Sequence, residues 1–454
     1  MHANGVQALS ARFGRAIPSA EGSRLMINTS KVTRRRILGG AVAAAAFPEV
    51  IPSGVLAAPG RPGANDRVVT ACIGLGGMGR THIDANTAAL CDVDARRLGE
   101  AASLVPGSTC LTTDFRRVLD RKEIDAVFIA APDHWHALMT VMACEAGKDV
   151  YCEKPACRTV REGRTMIDTA RRTGRVVQVG SQGRSHPAAE AATRAIRSGL
   201  FGEIRRVSMW HPNNWTTSDP GRSEEPPSEL DWNMWLGPAR WVDYSPARAH
   251  FNHRWFTDFG GGFIRDRGAH ALSLMNWALE NDAYDGEIEV EATGASQPHG
   301  CFDVPVSMEV RWRFRARDLT VTWSQPGNPR MAGEWGATYH GDRDQLTVLG
   351  GDAACSTEPK ALRLGDLHAG SATESDTVDA GERHRRNFLE CVRSREVPVM
   401  ALPAAVQASN LSNIALIAYR LGRPLVYHAG RERFVGDPCA DRFLDEPYRS
   451  PWVL

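Results

Sequence analysis

Residues 74–79, Gly-Leu-Gly-Gly-Met-Gly, follow an apolar, β-branched run at residues 67–73 and precede a stretch with a helical pattern at 77–85. A G-x-G-x-x-G turn between a strand and a helix is typical of dinucleotide binding. The first glycine permits the tight turn, the second lets the backbone approach a pyrophosphate, and the third lets helix and strand pack closely. The start of the helix presents free N–H groups to the phosphates. The residues predicted to bind a dinucleotide here are Gly74, Gly76, Gly77, Met78 and Gly79.

An acidic residue stands where such a turn needs a ligand for the ribose. A second apolar strand at residues 88–91 ends at Asp92, eighteen positions after Gly74. A carboxylate near this spacing binds the adenosine ribose hydroxyls and repels a 2′-phosphate, which favours NAD over NADP. Arg96 and Arg97 lie close enough in the sequence to keep NADP open. The alternative is that Asp92 is only a solvated residue at a strand end.

Strands and helices then alternate as they do in a doubly wound parallel sheet. Buried strands are predicted at residues 125–130, 149–152 and 176–180, within a first domain that spans 66–186. Ligands bind at the carboxyl ends of such strands. The residues that follow these ends, and are therefore predicted to complete the nucleotide site, are Pro132, His134, His136, Glu153, Lys154 and Gln182.

Two further motifs make the pattern specific. Glu153-Lys154-Pro155 follows a strand, and Asp266-Arg-Gly-Ala-His270 comes more than a hundred positions later. With the glycine loop and Cys-Asp-Val-Asp at 91–94, these motifs resemble the glucose–fructose oxidoreductase/inositol dehydrogenase (Gfo/Idh/MocA) family, most closely its twin-arginine-exported bacterial members. The resemblance runs from residue 67 to the end. It implies an α/β chain: a Rossmann domain with a doubly wound parallel sheet, then an α+β substrate domain with a large, mostly antiparallel open sheet.

The resemblance also implies an NAD(P)-dependent oxidoreductase. Such an enzyme moves a hydride between a secondary hydroxyl of a sugar, polyol or glycoside and a tightly bound nicotinamide cofactor. Lys154, Asp266 and His270 match the family's catalytic residues. An imidazole can accept and return the hydroxyl proton, and an ammonium can stabilise alkoxide charge. The division of labour between the lysine and the histidine stays open. Residues near these motifs are predicted to contact substrate: Arg184, Arg254, Trp255 and Arg265.

The second domain, residues 187–454, has a different pattern. Apolar and polar residues alternate in five predicted strands, at 204–210, 287–291, 307–315, 319–323 and 345–348, which favours an antiparallel sheet with one free face. An aromatic-rich insertion at 210–255 separates the first two strands. Aromatic rings stack on the apolar faces of sugars, although most tryptophans are simply buried. The resemblance implies that the sheet forms the far wall of the cleft and joins subunits into a homo-oligomer.

The first sixty residues have the pattern of an export signal. Thr33-Arg-Arg-Arg-Ile-Leu38 precedes an uncharged run at 37–47, and small residues follow at Ala57 and Ala58. A basic stretch, a short apolar stretch and a small-residue site describe a cleavable signal, and the paired arginines favour the twin-arginine type. We predict a signal peptide at 1–58 and a periplasmic or otherwise exported protein. The alternative is a disordered basic N-terminus.

Composition excludes several classes of partner. The 454 residues carry a net charge of +1, with acids and bases interspersed. Neither a basic stripe nor an acidic tail indicates nucleic acid or a membrane surface. The apolar run near the N-terminus is too short to span a bilayer, which needs roughly 20 residues. Ten cysteines occur without C-x-x-C pairs or zinc spacing, so no metal site is predicted.

Two other functions stay open. One is an NAD-dependent glycosidase that acts by transient oxidation and elimination, with the NAD regenerated in place. The other is a non-catalytic protein that binds NAD or a sugar. The joint presence of Lys154, Asp266 and His270 counts against the non-catalytic alternative.

Overall fold

The structure is a computed structural model that describes residues 63, 67–327, 335–352, 354–358 and 379–454. The predicted signal peptide at 1–58 lies outside these residues. Within the described ranges, no helix combines the length and apolar character that crossing a membrane requires.

Six parallel strands form the first sheet, in the order β3-β2-β1-β4-β5-β6. The strands are β1 (Thr70–Ile73), β2 (Thr87–Cys91), β3 (Cys110–Thr112), β4 (Ala126–Ile129), β5 (Asp149–Glu153) and β6 (Val177–Gly180). The central strands β1, β4 and β5 are buried along their whole length, as expected for a parallel sheet with both faces covered. From β1 the chain adds β2 and β3 on one side and β4, β5 and β6 on the other, so the strand order reverses between β1 and β4. Ligands bind at this switch point in such sheets. The predicted Rossmann architecture is confirmed.

Five helices belong to this half: α1 (Gly77–Arg80), α2 (Ala95–Ala102), α3 (Phe115–Leu119), α4 (Asp133–Glu145) and α5 (Val160–Thr173). The longest begins at a capping box, in which Thr159 Oγ1 accepts from the Glu162 N–H and the Glu162 carboxylate accepts from the Thr159 N–H, each at 3.1 Å. The helix predicted at 77–85 was wrong in length. After α1, the Asp84 carboxylate accepts from the Asn86 N–H at 2.8 Å, and such local bonds compete with helix continuation.

Nine strands form the second sheet, in the order β13-β12-β11-β7-β10-β9-β8-β14-β15. The strands are β7 (Ile204–Trp210), β8 (Glu287–Ala295), β9 (Ser307–Phe314), β10 (Leu319–Gln325), β11 (Gly336–Gly341), β12 (Gln345–Gly350), β13 (Cys355–Glu358), β14 (Leu425–His428) and β15 (Arg433–Phe434). Neighbours are antiparallel except β7 and β10, which are parallel. The mostly antiparallel sheet is confirmed. Sequence patterns missed β11, β13, β14 and β15, most of which are short.

One face of this sheet is the main core. Strand β9 alternates strictly, with Met308, Val310, Trp312 and Phe314 buried and the residues between them exposed. The remaining helices are α6 (Pro187–Arg197), α7 (Trp232–Leu236), α8 (Phe263–Asp266), α9 (Gly268–Ala278), α10 (Ala380–Ser394), α11 (Leu402–Leu421) and α12 (Pro438–Asp441). Residues of α6, α9 and α11 share one hydrophobic core with the sheet. Short 3₁₀ helices occur at Gln182–Ser185, Phe251–Trp255 and Arg315–Arg317.

The aromatic insertion, residues 211–255, lies against the first sheet's half of the molecule and is called the strap below. Backbone bonds join it to the segment after β2: the Ala95 N–H donates to the Glu229 carbonyl at 2.8 Å, and the Asp231 N–H donates to the Val93 carbonyl at 3.0 Å. The strap therefore forms a wall over the carboxyl edge of the parallel sheet.

Candidate active site

The glycine loop is shaped by two close backbone approaches. Gly74 has φ +85°, and a Cβ there would lie 2.6 Å from the Ala131 nitrogen. A Cβ on Gly79 would lie 1.8 Å from the Gly74 carbonyl oxygen. Only glycine fits at these positions: the first contact places the loop against the end of β4, and the second packs α1 against the loop itself. Gly76, Gly77 and Met78 then line a cleft at the point where the strand order reverses.

This cleft crosses the carboxyl edge of the sheet. It encloses about 1390 Å³ of space free of protein atoms, its open mouth included. Asp92 follows β2 and Lys154 follows β5, and both line the cleft. Three strand spacings separate β2 from β5, about 14 Å. The cleft is therefore long enough to join the glycine loop to the Glu153-Lys154-Pro155 segment.

Asp92 supports the loop as well as lining the cleft. One carboxylate oxygen accepts from the Leu75 N–H at 2.7 Å and the other from the Asp94 N–H at 2.9 Å. Burial raises the pKa of Asp92, and the two hydrogen bonds, which lower that pKa, only partly offset the rise. Arg97 lines the cleft nearby, and its guanidinium would lie 3.3 Å from a Cβ on Gly76. The Asp92 carboxylate, which favours NAD, and the Arg97 guanidinium, which would favour NADP, thus line the same cleft.

Lys154 and Asp266 meet in the cleft as an ion pair, each side chain 15% exposed. The Arg254 Nε lies 3.4 Å from the second oxygen of Asp266. Burial alone would raise the pKa of the Asp266 carboxyl, but the charges of Lys154 and Arg254 hold that pKa far below its usual range. The tertiary structure thus joins the two motifs that the sequence singled out.

His270 lies behind this pair and does not line the cleft. It is buried on α9, one helical turn after Asp266, and its ring lies 6.3 Å from that of Trp335. Among the described residues, its Nδ1 has no hydrogen-bond partner. Burial and the positive charge of Lys154 lower the pKa of His270 to about 3. The imidazole is therefore neutral at physiological pH.

Glu153 lines the cleft beside Lys154 and is held from three sides. His82 Nε2 lies 3.2 Å from its carboxylate, Gln182 Nε2 donates to it at 3.0 Å, and the Lys154 N–H donates at 3.3 Å. Burial raises the pKa of Glu153, but the contact with His82 outweighs it and the pKa falls below its usual value. Contrary to the prediction, Gln182 does not reach the cleft, because its amide is used to hold Glu153 and Tyr151.

His136 ties two strand ends together at the floor of the cleft. Its Nδ1 lies 2.7 Å from the Pro155 carbonyl and its Nε2 lies 2.8 Å from the Ala131 carbonyl. Carbonyl oxygens only accept, so both ring nitrogens must carry a proton. Burial lowers the pKa, but charged and polar neighbours, Cys152 first among them, raise it to about 10. His136 is thus an imidazolium at neutral pH.

His134 is a packing residue and not part of the cleft wall. Its ring is buried between Trp235 and Phe259, and Nε2 lies 2.9 Å from the Trp235 carbonyl. Burial lowers the pKa of His134 to about 3. Pro132, predicted with it, does line the cleft.

Three of the four predicted substrate residues lie away from the cleft. Arg184 is buried in a bidentate pair with Asp282, at 2.6 and 2.9 Å, because a buried guanidinium needs a carboxylate. Trp255 is fully buried among aromatic rings. Arg265 points to the other side of α8, where it donates to the Gly260 carbonyl and to Asn413. Of these four predicted substrate residues, only Arg254 lines the cleft.

The structure adds a second acid–base pair to the cleft. His253 Nε2 lies 3.3 Å from Asp133 Oδ1, and its Nδ1 lies 3.0 Å from the His250 carbonyl. Burial raises the pKa of Asp133, but His253 and other positive neighbours hold it well below its usual range. Asp133 follows β4, so its position had a sequence signal. Among the strap residues that line the cleft, only Arg254 was predicted as a site residue, because nothing in the sequence shows where a long insertion folds back.

Comparison with known proteins identifies the family to which the chain belongs. A model described as "Oxidoreductase family, NAD-binding Rossmann fold" matches residues 68–181, and one described as "Oxidoreductase family, C-terminal alpha/beta domain" matches residues 193–312 and 372–454. The chain belongs to the Gfo/Idh/MocA oxidoreductase family. The predicted resemblance is confirmed at that level.

Two curated relatives have names that describe different activities. Levoglucosan dehydrogenase of Pseudarthrobacter phenanthrenivorans is 35% identical over 205 residues, which cover 45% of this chain and 50% of that protein. A glycosyl hydrolase family 109 protein of Stenotrophomonas maltophilia is 29% identical over 237 residues, which cover 48% of this chain and 50% of that protein. The chain thus spans about half the length of these relatives.

A solved structure supports the same fold. Levoglucosan dehydrogenase in complex with NADH and L-sorbose superposes with a TM-score of 0.56 at 18% identity, over 78% of this chain and 97% of that one. At this identity the likeness concerns the fold alone.

The cleft fits the nucleotide that the family's Rossmann fold binds. A Cβ on Gly77 would meet no atom within 4 Å, and one on Gly76 would meet only the Arg97 guanidinium. Both glycines therefore present bare backbone to the cleft, which a pyrophosphate needs for close approach. Among the described residues, no group of His, Cys, Asp and Glu side chains is arranged to hold a metal ion.

Proposed function

We propose that this Gfo/Idh/MocA protein is an NAD(P)-dependent oxidoreductase that acts on a secondary hydroxyl of a sugar, polyol or glycoside. The observation that carries this proposal is the Lys154–Asp266 ion pair in the cleft that also contains the glycine loop. An ammonium beside a dinucleotide site is suited to the oxygen of an alcohol or carbonyl substrate. The levoglucosan dehydrogenase relative supports a sugar as the substrate class.

The residues that would hold the nucleotide are those of the cleft wall: Gly76, Gly77, Met78, Asp92, Pro132, His136, Glu153 and Lys154. When bound, the nicotinamide supplies the acceptor or donor of the hydride. Gly74 and Gly79 act indirectly by setting the shape of the loop. We favour NAD because the Asp92 carboxylate faces the cleft, and Arg97 keeps NADP open.

The protein's own contribution is to bind the reacting oxygen and to hold its proton. The Lys154 ammonium donates hydrogen bonds to the substrate oxygen and stabilises negative charge on it. Asp266 and Arg254 fix the position of that ammonium. His270 lies behind Lys154, and burial together with the Lys154 charge disfavours its protonated form, so we propose that it receives a proton only when Lys154 has become neutral.

The strap explains why we propose that the nucleotide is tightly held. Its residues Met234, Trp235, His250 and Phe251 line the cleft opposite the sheet. His250 Nε2 lies 3.0 Å from Asp94, and Trp135 Nε1 donates to the Trp235 carbonyl at 3.0 Å. Releasing the nucleotide through this side requires breaking these contacts.

The nucleotide itself provides the direct test. We expect the purified protein to release NAD or NADP on denaturation, and polyols, sugars or glycosides to reduce it. Gly79→Ala should abolish nucleotide retention because its Cβ collides with the Gly74 carbonyl. Gly99→Ala is the control, since its Cβ meets no atom within 4 Å. A wild-type protein that neither contains nor binds a pyridine nucleotide would refute the proposal.

A redox-neutral glycosidase is the second candidate, favoured by the glycosyl hydrolase family 109 relative. It would oxidise a hydroxyl transiently, eliminate the aglycone, add water to the double bond so formed and return the hydride to the ketone. Release of free sugar from an aryl glycoside without net NADH would favour this activity. Net NADH formation without sugar release would favour the dehydrogenase.

We also propose that residues 1–58 are a twin-arginine signal and that the protein works outside the cytoplasm. The motif Thr33 to Leu38 supports this, as does the need to carry a bound nucleotide out with the folded protein. Cell fractionation tests the proposal. Replacing Arg34 and Arg35 by lysine should retain the protein in the cytoplasm, and export of that variant at the normal level would contradict it.

A homo-oligomer formed through the open face of the nine-stranded sheet is proposed as well. That face carries cross-strand ion pairs, such as Arg311 with Glu291 and Arg315 with Glu289, both at 2.6 Å. Light scattering of the purified protein tests it: a monomer at micromolar concentration would contradict it, and Arg311→Glu should weaken the assembly.

A further inference from the structure

Two large aromatic side chains stand half exposed beside the cleft. The Trp215 side chain and the Phe251 side chain are each 52% exposed, and their ring centroids lie 5.3 Å apart with an interplanar angle of 31°. We call these two residues the aromatic pair. Two adjoining exposed aromatic rings leave an apolar patch in contact with water. Such patches on a protein surface commonly mark a binding site.

The aromatic pair is connected to the proposed reaction centre by direct contacts. The Arg254 guanidinium lies 4.4 Å from the centroid of the Phe251 ring, and its Nη1 donates to the Phe251 carbonyl at 3.0 Å. The same guanidinium lies 3.4 Å from Asp266, which pairs with Lys154. Phe251, Arg254 and Asp266 all line the cleft. Phe251 is therefore one side chain, that of Arg254, removed from Asp266, and Trp215 extends the aromatic surface outward from Phe251.

The rings are held in place before any ligand binds. Trp215 packs on the fully buried ring of Trp255, with centroids 5.4 Å apart, and its carbonyl accepts from Gln297 Nε2 at 3.1 Å. The cation of Arg254 covers one face of Phe251. A ligand that stacks on fixed rings pays little conformational entropy, which makes the pair suited to binding.

We propose that Trp215 and Phe251 form a subsite for a second sugar ring, so that the substrate is a disaccharide or other glycoside. This proposal rests on the proposed function for the reacting ring, which would lie at Lys154 and Asp266. Sugar rings present apolar C–H faces that suit aromatic rings, while their hydroxyl groups suit the N–H donors of Arg254. A free monosaccharide at the reaction centre would leave both exposed rings uncovered.

The experiment measures binding, so it does not depend on turnover. Cellobiose, maltose and lactose are titrated against the nucleotide-loaded protein by calorimetry, with glucose and galactose as the single-ring comparison. For the disaccharide that binds best, Trp215→Ala should weaken the affinity about tenfold, as loss of an aromatic contact does. Affinity for the corresponding monosaccharide should change less than about twofold.

Trp241→Ala is the matched control. Its side chain is exposed to nearly the same degree, 53%, but its ring packs against the Arg449 guanidinium, 5.5 Å from the ring centroid, and does not line the cleft. An equal loss of disaccharide affinity in this variant, or an equal loss of monosaccharide affinity in Trp215→Ala, would overturn the subsite.

Two other results would also overturn it. In one, no disaccharide binds the wild-type protein more tightly than its monosaccharide; hydride transfer from single sugars would then leave the proposed function intact. In the other, Trp215→Ala changes the oligomeric state in light scattering and leaves saccharide affinity unaltered, which would assign the pair to a contact between copies. Failure of the proposed function would look different, as disaccharide binding without any nucleotide reduction.

Discussion

The ammonium of Lys154 and the carboxylate of Asp266, 112 positions apart in the chain, form an ion pair inside the cleft. Each side chain is 15% exposed, so both charges are largely removed from water and depend on each other. Arg254 supplies a second positive charge to the carboxylate, which allows Lys154 to turn a donor towards a substrate.

Lys154→Met should lower turnover about a hundredfold or more while leaving the nucleotide bound, because a lost donor to a developing oxyanion has effects of this size. Steady-state kinetics and the absorbance of bound nucleotide check both parts. Lys122→Met, at an exposed position, is the control and should behave as wild type. Near-normal turnover of the Lys154 variant would remove the lysine from the reaction.

The same substitution should change the titration of His270. Burial and the charge of Lys154 lower the pKa of this histidine to about 3, so removing the charge should raise the pKa, as NMR of the imidazole would show. The sign for stability follows. The unfolded imidazole binds a proton below its ordinary pKa and the folded one does not. His270 therefore makes folding less favourable as pH falls from 6.5 towards 3. A His270 pKa that is the same in the Lys154→Met variant would contradict the proximity of the ammonium to the imidazole.

His136 should remain doubly protonated well above neutral pH. Its pKa is raised to about 10 from an ordinary 6.5, so its charge stabilises the fold fully below pH 6.5, and that contribution is lost as pH rises to about 10. The difference in unfolding free energy between wild type and His136→Met should shrink over this range. Nitrogen-15 NMR provides the direct measurement. A neutral ring at pH 8 would be inconsistent with the two carbonyl contacts.

Arg184→Met should destabilise the fold without a selective effect on substrate. The guanidinium is buried while Asp282 is 31% exposed, so its removal leaves the carboxylate and the Ser273 carbonyl without a donor and should cost about 2 kcal/mol in unfolding free energy. Arg205→Met is the control, since this guanidinium and its partners Glu203 and Asp318 are exposed, where an ion pair contributes little to stability. A raised KM with unchanged stability would instead return Arg184 to the substrate site.

The sequence by itself determined the Rossmann half of this protein and the residues most useful for its chemistry. The glycine loop needs glycine at 74 and 79 because backbone atoms of neighbouring segments occupy the space of a Cβ, and this local requirement is visible in the sequence. Asp92, Glu153 and Lys154 follow buried strands, so the direction of a parallel sheet is enough to bring them to one edge.

Only the tertiary structure decided which of the later residues face the cleft. Arg254 and Arg265 are similar in sequence terms, yet one lines the cleft beside Asp266 and the other donates to Gly260 and Asn413 on the opposite side. The strap could not be predicted either, because its position depends on backbone bonds such as that of Ala95 to Glu229, between segments far apart in the chain. Periodicity reports which side of an element is buried, but not what that side is buried against.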